Sequence, residues 1–256
     1  MTDAARIPDD LSGQVMARGR KLGCDLIAVA DLHPLREFVR QQGGDDLAGY
    51  RWGIAIGIVL EGRFVDPLGG GITRPVAESY LHFALFGVNK RLDKIARKLA
   101  GYLGQLGHRA LAVPASLRID NQRVCGAVSH KMVARAAGLG WIGKNCLLIT
   151  PEWGPRLRWA TVLTDAPLSI TAVPQRDRCG GCTECVRICP PGAITGRPFR
   201  EDEPREARLD VRRCEESTRL RAEEIGVICC GLCLYVCPYG RRPHTCETPL
   251  NPGRTF

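Results

Sequence analysis

The sequence predicts a mixed α/β (α+β) domain over residues 1–172, a small cysteine-rich domain over 173–240 and an irregular basic tail over 241–256. Three observations carry that division. Apolar runs of strand length alternate with amphipathic helical stretches as far as Leu168, the pattern of a layered helix-and-sheet domain. A polar junction over residues 174–178 follows. Beyond it, nine of the 13 cysteines fall between Cys179 and Cys237, in a stretch with few long apolar runs.

Residues 10–22 have helical periodicity ended by Gly23, and 26–30 form a short apolar run of strand type. Residues 52–60, WGIAIGIVL, are dense enough in branched apolar side chains for a buried strand. Three successive glycines at 69–71 mark a loop. Residues 78–106 predict one long amphipathic helix. Leu81, Leu85, Val88, Leu92, Ile95, Leu99 and Leu103 recur at helical spacing, while Lys90, Arg91, Lys94, Arg97 and Lys98 take other faces. Gly107 ends that helix, and 109–113 read as a strand. Residues 129–137 predict a helix stopped by Gly138. Two further strands, 145–149 and 157–163, are expected as a hairpin or near neighbours about the turn at 151–155. The densely charged stretch 197–221 reads as a solvated connection that carries Cys214.

Composition narrows the function classes. With 256 residues and 45% hydrophobic content, the chain can bury a proper core. The net charge of +9, from 36 Lys and Arg against 27 Asp and Glu, suits an anionic partner such as a nucleic acid or a phosphate-bearing cofactor. It equally suits a soluble basic protein with no such partner. The first ten residues hold no apolar signal region and no twin arginine. The run at 52–60 is too short to cross a bilayer. These features lead us to expect a cytoplasmic protein without a membrane partner, where thiols stay reduced and clustered cysteines mean metal.

Cys179, Cys182, Cys185 and Cys189, followed by Pro190, read C-x2-C-x2-C-x3-C-P, the spacing of bacterial ferredoxins with two [4Fe-4S] clusters. Cys230, Cys233 and Cys237, followed by Pro238, answer it. Three closely spaced thiolates can hold three corners of one cubane, while the fourth, carried off by the turn before proline, reaches the other cluster. A zinc site needs only two such pairs and gains nothing from the third cysteine or the proline. Two cubanes need eight thiolates. Seven come from the runs, and Cys214 is the cysteine between them. The crossover rule assigns Cys179, Cys182, Cys185 and Cys237 to cluster 1, and Cys189, Cys214, Cys230 and Cys233 to cluster 2. Cys229 competes with Cys230, but only Cys230 keeps the spacing. Cys24 and Cys146 stand in apolar surroundings and read as core fillers. Cys246 has no assigned partner.

The second motif is Gly138-Leu-Gly-Trp-Ile-Gly-Lys144. Its glycines allow a tight turn and close backbone approach. It is not a dinucleotide fingerprint, because a helix rather than a strand precedes it, and not a P-loop, because no Ser or Thr follows Lys144. Read alone, it serves a ligand or a purely structural turn equally well.

That motif, followed by Leu147-Leu148, Gly154, the apolar run to Leu163, Asp165, Pro167-Leu168 and the double cysteine signature, resembles the epoxyqueuosine reductases over roughly residues 80–239. The resemblance implies a nitroreductase-like domain that holds base-off cobalamin, followed by a ferredoxin-like domain that delivers electrons to it. It also implies two [4Fe-4S] clusters and a role in the last step of queuosine synthesis on tRNA. Reductive dehalogenases share that cofactor set. On this resemblance Trp141, Gly143, Lys144, Leu148, Arg158 and Trp159 are expected around cobalamin, with Arg158 also readable as a surface strand residue. One departure stands out: the aspartate that supplies the family's catalytic proton falls on Val124, which cannot donate one. Asp120 and His130 are the candidates to replace it, the first as a carboxylate, the second for its near-neutral pKa. His130 also reads as an ordinary helix N-terminal residue.

The resulting expectation is an iron–sulfur oxidoreductase that takes electrons from reduced ferredoxin or flavodoxin and removes an oxygen or another leaving group, with tRNA as the candidate partner. Two alternatives come from other classes. One is an electron-transfer or activator protein for a corrinoid enzyme, with no substrate of its own. The other is a cobalamin reductase acting on a small molecule.

Overall fold

The computed structural model describes residues 11–241. The start of the first helix at residue 10, most of the basic tail and Cys246 lie outside the described residues. A four-stranded sheet forms the centre of the N-terminal domain: β1 (Leu26–Asp31), β2 (Trp52–Val59), β3 (Ala110–Val113) and β6 (Leu157–Thr164). Its order is β1-β2-β6-β3, and every pairing is antiparallel. The mixed class therefore resolves as α+β.

β2 and β6 are central, and alternation sends successive side chains to opposite faces. Ile54, Ile56, Ile58, Ala160 and Val162 enter one hydrophobic cluster, with helices Leu11–Lys21 and Lys90–Gln105 packed above. Ala55, Val59, Leu157, Trp159 and Leu163 enter a second cluster, covered by the His130–Ala136 helix. Both faces are dry, which is why residues 52–59 read as continuously apolar. Trp159 stands opposite Gly57 in the register. A Cβ on Gly57 would meet the indole ring at 2.6 Å, so the glycine makes room for the tryptophan.

Three expectations are corrected. The predicted helix over 78–106 is three segments in one helical path: Arg74–Leu81, a π-helical stretch His82–Asn89, and Lys90–Gln105. The wider π turns shift the buried face to Ala77, Tyr80, Ala84 and Val88, leaving Leu81 and Leu85 only partly covered. The strand around Leu148 does not pair with β6. It shrinks to β5 (Leu148–Ile149) and pairs with β4 (Trp141–Ile142) in a separate two-stranded ribbon, because the glycine turn folds back on itself there. The charged stretch is solvated, with no residue of its helix buried, but it is ordered rather than a plain connection. Residues Val211–Ile225 form a helix, capped by the Asp210 side chain accepting from the Arg213 N–H and closed at Gly226 in the left-handed region.

Candidate metal centre

The two cysteine runs fold as tight loops, each containing a single helical turn. The Cys179 N–H donates to Asp177 Oδ1 at 2.7 Å and the Cys182 N–H to the Cys179 carbonyl at 3.0 Å. Glu184–Arg187 then coils into one turn, and Pro190 ends it beyond Cys189. The Ala193 N–H points back at the Cys189 sulfur, 3.3 Å away. In the second run Gly231 takes φ +83°, a conformation open to glycine, and starts the Leu232–Tyr235 turn. Residues 194 and 209 form a bridge, and the Asp210 N–H donates to the Ala193 carbonyl, which brings the Cys214 helix against the first run.

The thiols gather in two groups. Burial pushes the Cys185 thiol up to about 11, reinforced by neighbouring Cys179, Cys182 and Cys237. Cys237 is pushed up to about 11 by burial, with Cys179 and Cys182 beside it. Cys214 is raised by burial and then by Cys230 and Cys189. Cys233 is raised most, by burial and then by Cys230, Cys214, Cys185 and Cys189. Cys179, Cys182, Cys185 and Cys237 thus neighbour one another, as do Cys189, Cys214, Cys230 and Cys233, with Cys185 and Cys233 at the junction. Among the described residues no three acid, His or Cys side chains close around one ion. A cubane does not ask for that, since each thiolate binds a different iron. Cys229 is buried, and its thiol donates to the Cys230 carbonyl instead of joining either group. Cys24 and Cys146 are buried too, in keeping with core fillers.

The glycine turn runs under these loops. Lys144, nearly fully buried, donates from Nζ to the carbonyls of Gly180 at 2.7 Å and Cys182 at 3.0 Å. The Asn145 amide donates to the Cys233 carbonyl at 3.0 Å. Trp141 lies edge-on to Tyr239, ring centroids 4.9 Å apart, with Arg178 over its face. Its buried indole N–H has no partner of ordinary hydrogen-bond geometry and lies beside the Cys179 sulfur, which the Lys144 backbone N–H also faces. A thiolate or cluster sulfide there would accept from both donors, so these residues fit an iron–sulfur group. The glycines serve the turn itself. Gly138 takes φ +78°, and a Cβ on Gly140 would meet the Ile149 carbonyl oxygen at 2.0 Å.

The six residues expected around cobalamin do not fit a corrin as placed. Trp141 and Lys144 are committed to the cysteine loops. Leu148 and Trp159 are core residues. The Gly143 N–H is bonded to the Leu147 carbonyl, and a side chain there would strike Ile149. Arg158 donates from Nε to Asn89 Oδ1 at 2.9 Å, in the π-helical stretch, beside Tyr80. Burial pushes that tyrosine up to about 12. Sequence reasoning missed this Tyr80–Arg158–Asn89 group, which depends on a π turn that leaves no clear periodicity.

The proton-donor candidates part company. His130 Nε2 sits 3.0 Å from the Pro114 carbonyl, which can only accept, so Nε2 carries the proton. Nδ1 then accepts from the Thr161 hydroxyl at 2.8 Å. Burial pushes the imidazole down to about 4, and Arg158 adds to that. His130 is neutral and doubly engaged, which favours its structural reading. Asp120 instead forms a small loop: its Oδ1 accepts from the Arg123 N–H at 2.8 Å, and its backbone pairs with Cys125. Within that loop Val124 takes φ +50°, a strained conformation for a β-branched residue. Two arginines of the cysteine domain clamp the loop. Arg205 donates to the carbonyls of Val124 and Arg123, and Arg212 to those of Asn121 and Gln122. A third cation lies nearby: the half-buried Lys131 ammonium donates to the Cys146 carbonyl at 2.6 Å, and desolvation lowers its pKa.

Comparison with known proteins agrees with this geometry. Residues 178–240 match the family model of the 4Fe-4S double cluster binding domain. An epoxyqueuosine reductase of Pseudomonas aeruginosa is 31% identical over 165 residues, covering 60% of this chain and 40% of that protein. Its counterpart in Listeria monocytogenes is 34% identical over 128 residues, 49% of this chain and 33% of that one. The chain is related to the epoxyqueuosine reductases. The matched stretch spans well under half of these relatives. In overall shape, an epoxyqueuosine reductase solved with a tRNA-Tyr epoxyqueuosine-modified stem loop superposes with a TM-score of 0.63 at 19% identity, covering 91% of this chain and 66% of that one. A catabolic reductive dehalogenase gives 0.70 at 20% identity, covering 96% and 34%. The fold is thus the one shared by these two groups of enzymes, a nitroreductase-like domain followed by a ferredoxin-like, double-cluster domain. No helix among the described residues is long and apolar enough to cross a membrane.

Proposed function

We propose that the chain is an epoxyqueuosine-reductase-like iron–sulfur oxidoreductase that passes electrons one at a time through two [4Fe-4S] clusters. The observation that carries this reading is the gathering of eight thiols into two groups of four above the Trp141–Asn145 loop. Cluster 1 would be held by Cys179, Cys182, Cys185 and Cys237, and cluster 2 by Cys189, Cys214, Cys230 and Cys233. The donor is a reduced ferredoxin or flavodoxin, in a cytoplasmic setting. The reaction class is reductive removal of an oxygen or another leaving group. For an epoxide, two electrons and two protons break both carbon–oxygen bonds, leaving an alkene and water. A candidate partner is tRNA, as in the stem-loop complex of the solved relative.

Cobalamin enters this reading through likeness of fold to a dehalogenase whose structure suggests a mechanism for B12-dependent dehalogenation. The six residues expected around it do not fit a corrin, and the reading routes no step through it. Asp120 remains the proton-donor candidate, beside a Val124 that offers no proton.

Anaerobically reconstituted protein should hold about eight iron atoms, and a base-off spectrum on adding cobalamin would decide for a cobalamin-dependent reductase. Intact clusters with no cobalamin binding would favour the second reading, an electron-transfer or activator protein for a corrinoid enzyme. Val124 and the committed state of Trp141, Lys144 and Trp159 already lean that way. A deletion strain that keeps normal queuosine in its tRNA, with no second reductase encoded, would remove the tRNA role. A reductase of another small molecule would then stand.

A further inference from the structure

We infer that the Trp141–Asn145 loop sets the reduction potential of one cluster, with the Lys144 ammonium and the Trp141 indole N–H as the tuning groups. The inference rests on the two-cluster reading above and goes beyond it by naming residues of the other domain that poise the electron path.

The geometry is specific. A lysine is costly to bury unless its charge is paired, and among the described residues no carboxylate forms an ion pair with Lys144. Its ammonium is held by two carbonyl oxygens, Gly180 at 2.7 Å and Cys182 at 3.0 Å, both inside the first cysteine loop. Its positive charge therefore sits within the backbone ring that carries Cys179 and Cys182, the ring in which Asp177 Oδ1 accepts from the Cys179 N–H. Trp141 brings a second donor to the same place. Its N–H is buried, lacks an ordinary acceptor and lies beside the Cys179 sulfur. Tyr239 and Arg178 fix its ring from the cysteine-domain side. Asn145 continues the loop to the Cys233 carbonyl in the other group. One short segment of the N-terminal domain thus touches both cysteine groups, but delivers charge to only one.

The consequence follows from the charge change on reduction. A cluster gains one negative charge when it accepts an electron. A fixed cation and donors to its sulfurs stabilise the reduced state and raise the potential. Lys144 and Trp141 therefore make the first-run cluster easier to reduce than its thiolates alone would.

The test is a redox titration of the reconstituted full chain, followed by EPR, for wild type, Lys144→Gln, Lys144→Arg and Trp141→Phe. Lys144→Gln should lower one of the two midpoints by on the order of 59 mV, a tenfold change in a one-electron equilibrium, leaving the other in place. Lys144→Arg, which restores the charge, should return that midpoint close to wild type. Trp141→Phe keeps the ring and removes the donor, and should shift the same midpoint in the same direction by less. Unmoved midpoints in Lys144→Gln with about eight iron atoms retained would overturn the proposal, as would an equal shift in Lys144→Arg. Loss of one cluster in both Lys144→Gln and Trp141→Phe would also overturn it, showing a loop needed for assembly. A wild-type protein without two clusters would instead sink the underlying two-cluster reading.

Discussion

Lowering the pH tests whether His130 can be the acid of any reaction here. In the fold both ring nitrogens are engaged, and the imidazole is pushed down from 6.5 to about 4 by burial and by Arg158. The unfolded chain takes up a proton on this residue through its ordinary pKa of about 6.5, whereas the folded chain refuses it until near pH 4. Between those limits the unfolded state binds more protons, so stability falls as the pH falls. Above pH 6.5 the neutral ring contributes fully, and below pH 4 the contribution is gone. At about 1.4 kcal/mol per pH unit, the gap from 6.5 to about 4 amounts to roughly 3–4 kcal/mol at most. The assay is an NMR titration of 15N-labelled histidines, read against a His130→Gln variant to assign the resonance. We expect a neutral, Nε2-protonated ring throughout pH 8 to 5. A midpoint between pH 6 and 7 would refute the reasoning and restore His130 as a proton donor.

Three other perturbations probe separate features. Cys214→Ala should retain about four of eight iron atoms in reconstituted protein, and unchanged iron content would overturn the ligand set. Gly140→Ala places a Cβ 2.0 Å from the Ile149 carbonyl oxygen, so the backbone must move. The cost should be on the order of 1–3 kcal/mol, seen as a lower Tm, and a Tm equal to wild type would mean that the ribbon yields freely. Removing Arg205 and Arg212 together deprives the Val124 loop of four carbonyl contacts. Each charged hydrogen bond is worth about 1.5–3 kcal/mol at most, and both arginines are at least partly exposed, so the effect should be local. Limited proteolysis should cut near residues 120–125 faster, with the melting temperature little changed.

Much of this was legible in the chain, and what was not has identifiable causes. The double-cluster signature could be read because cubane ligation imposes spacing directly on the sequence. Residues 52–59 could be read because a strand buried on both faces is apolar throughout. The 78–106 helix was placed correctly but phased wrongly. A π turn shifts the buried face without changing residue types, so Leu85 looked as internal as Val88. The destination of Lys144 was not legible either. A lysine after a glycine turn looks the same whether it awaits a ligand or caps carbonyls 36 residues on. Its neighbour Asn145, a polar residue that ends buried against Cys233, was the one available hint. The same holds for Trp141 and Trp159: an aromatic beside a glycine turn or in a strand reads alike whether it faces a ligand or packs inward, and here both are buried.

The position of Cys237 has a consequence for the order of synthesis. It stands beside Cys179, Cys182 and Cys185, yet the ribosome makes it last of the grouped cysteines. The first run therefore waits with an open corner while the Cys214 helix and the second run are being made. Until then a cluster on the first run would lack its fourth thiolate. The Trp141–Asn145 loop, already translated, is the surface on which that waiting segment can settle. Insertion of the cluster would then be the event that locks both ends of the cysteine domain onto it.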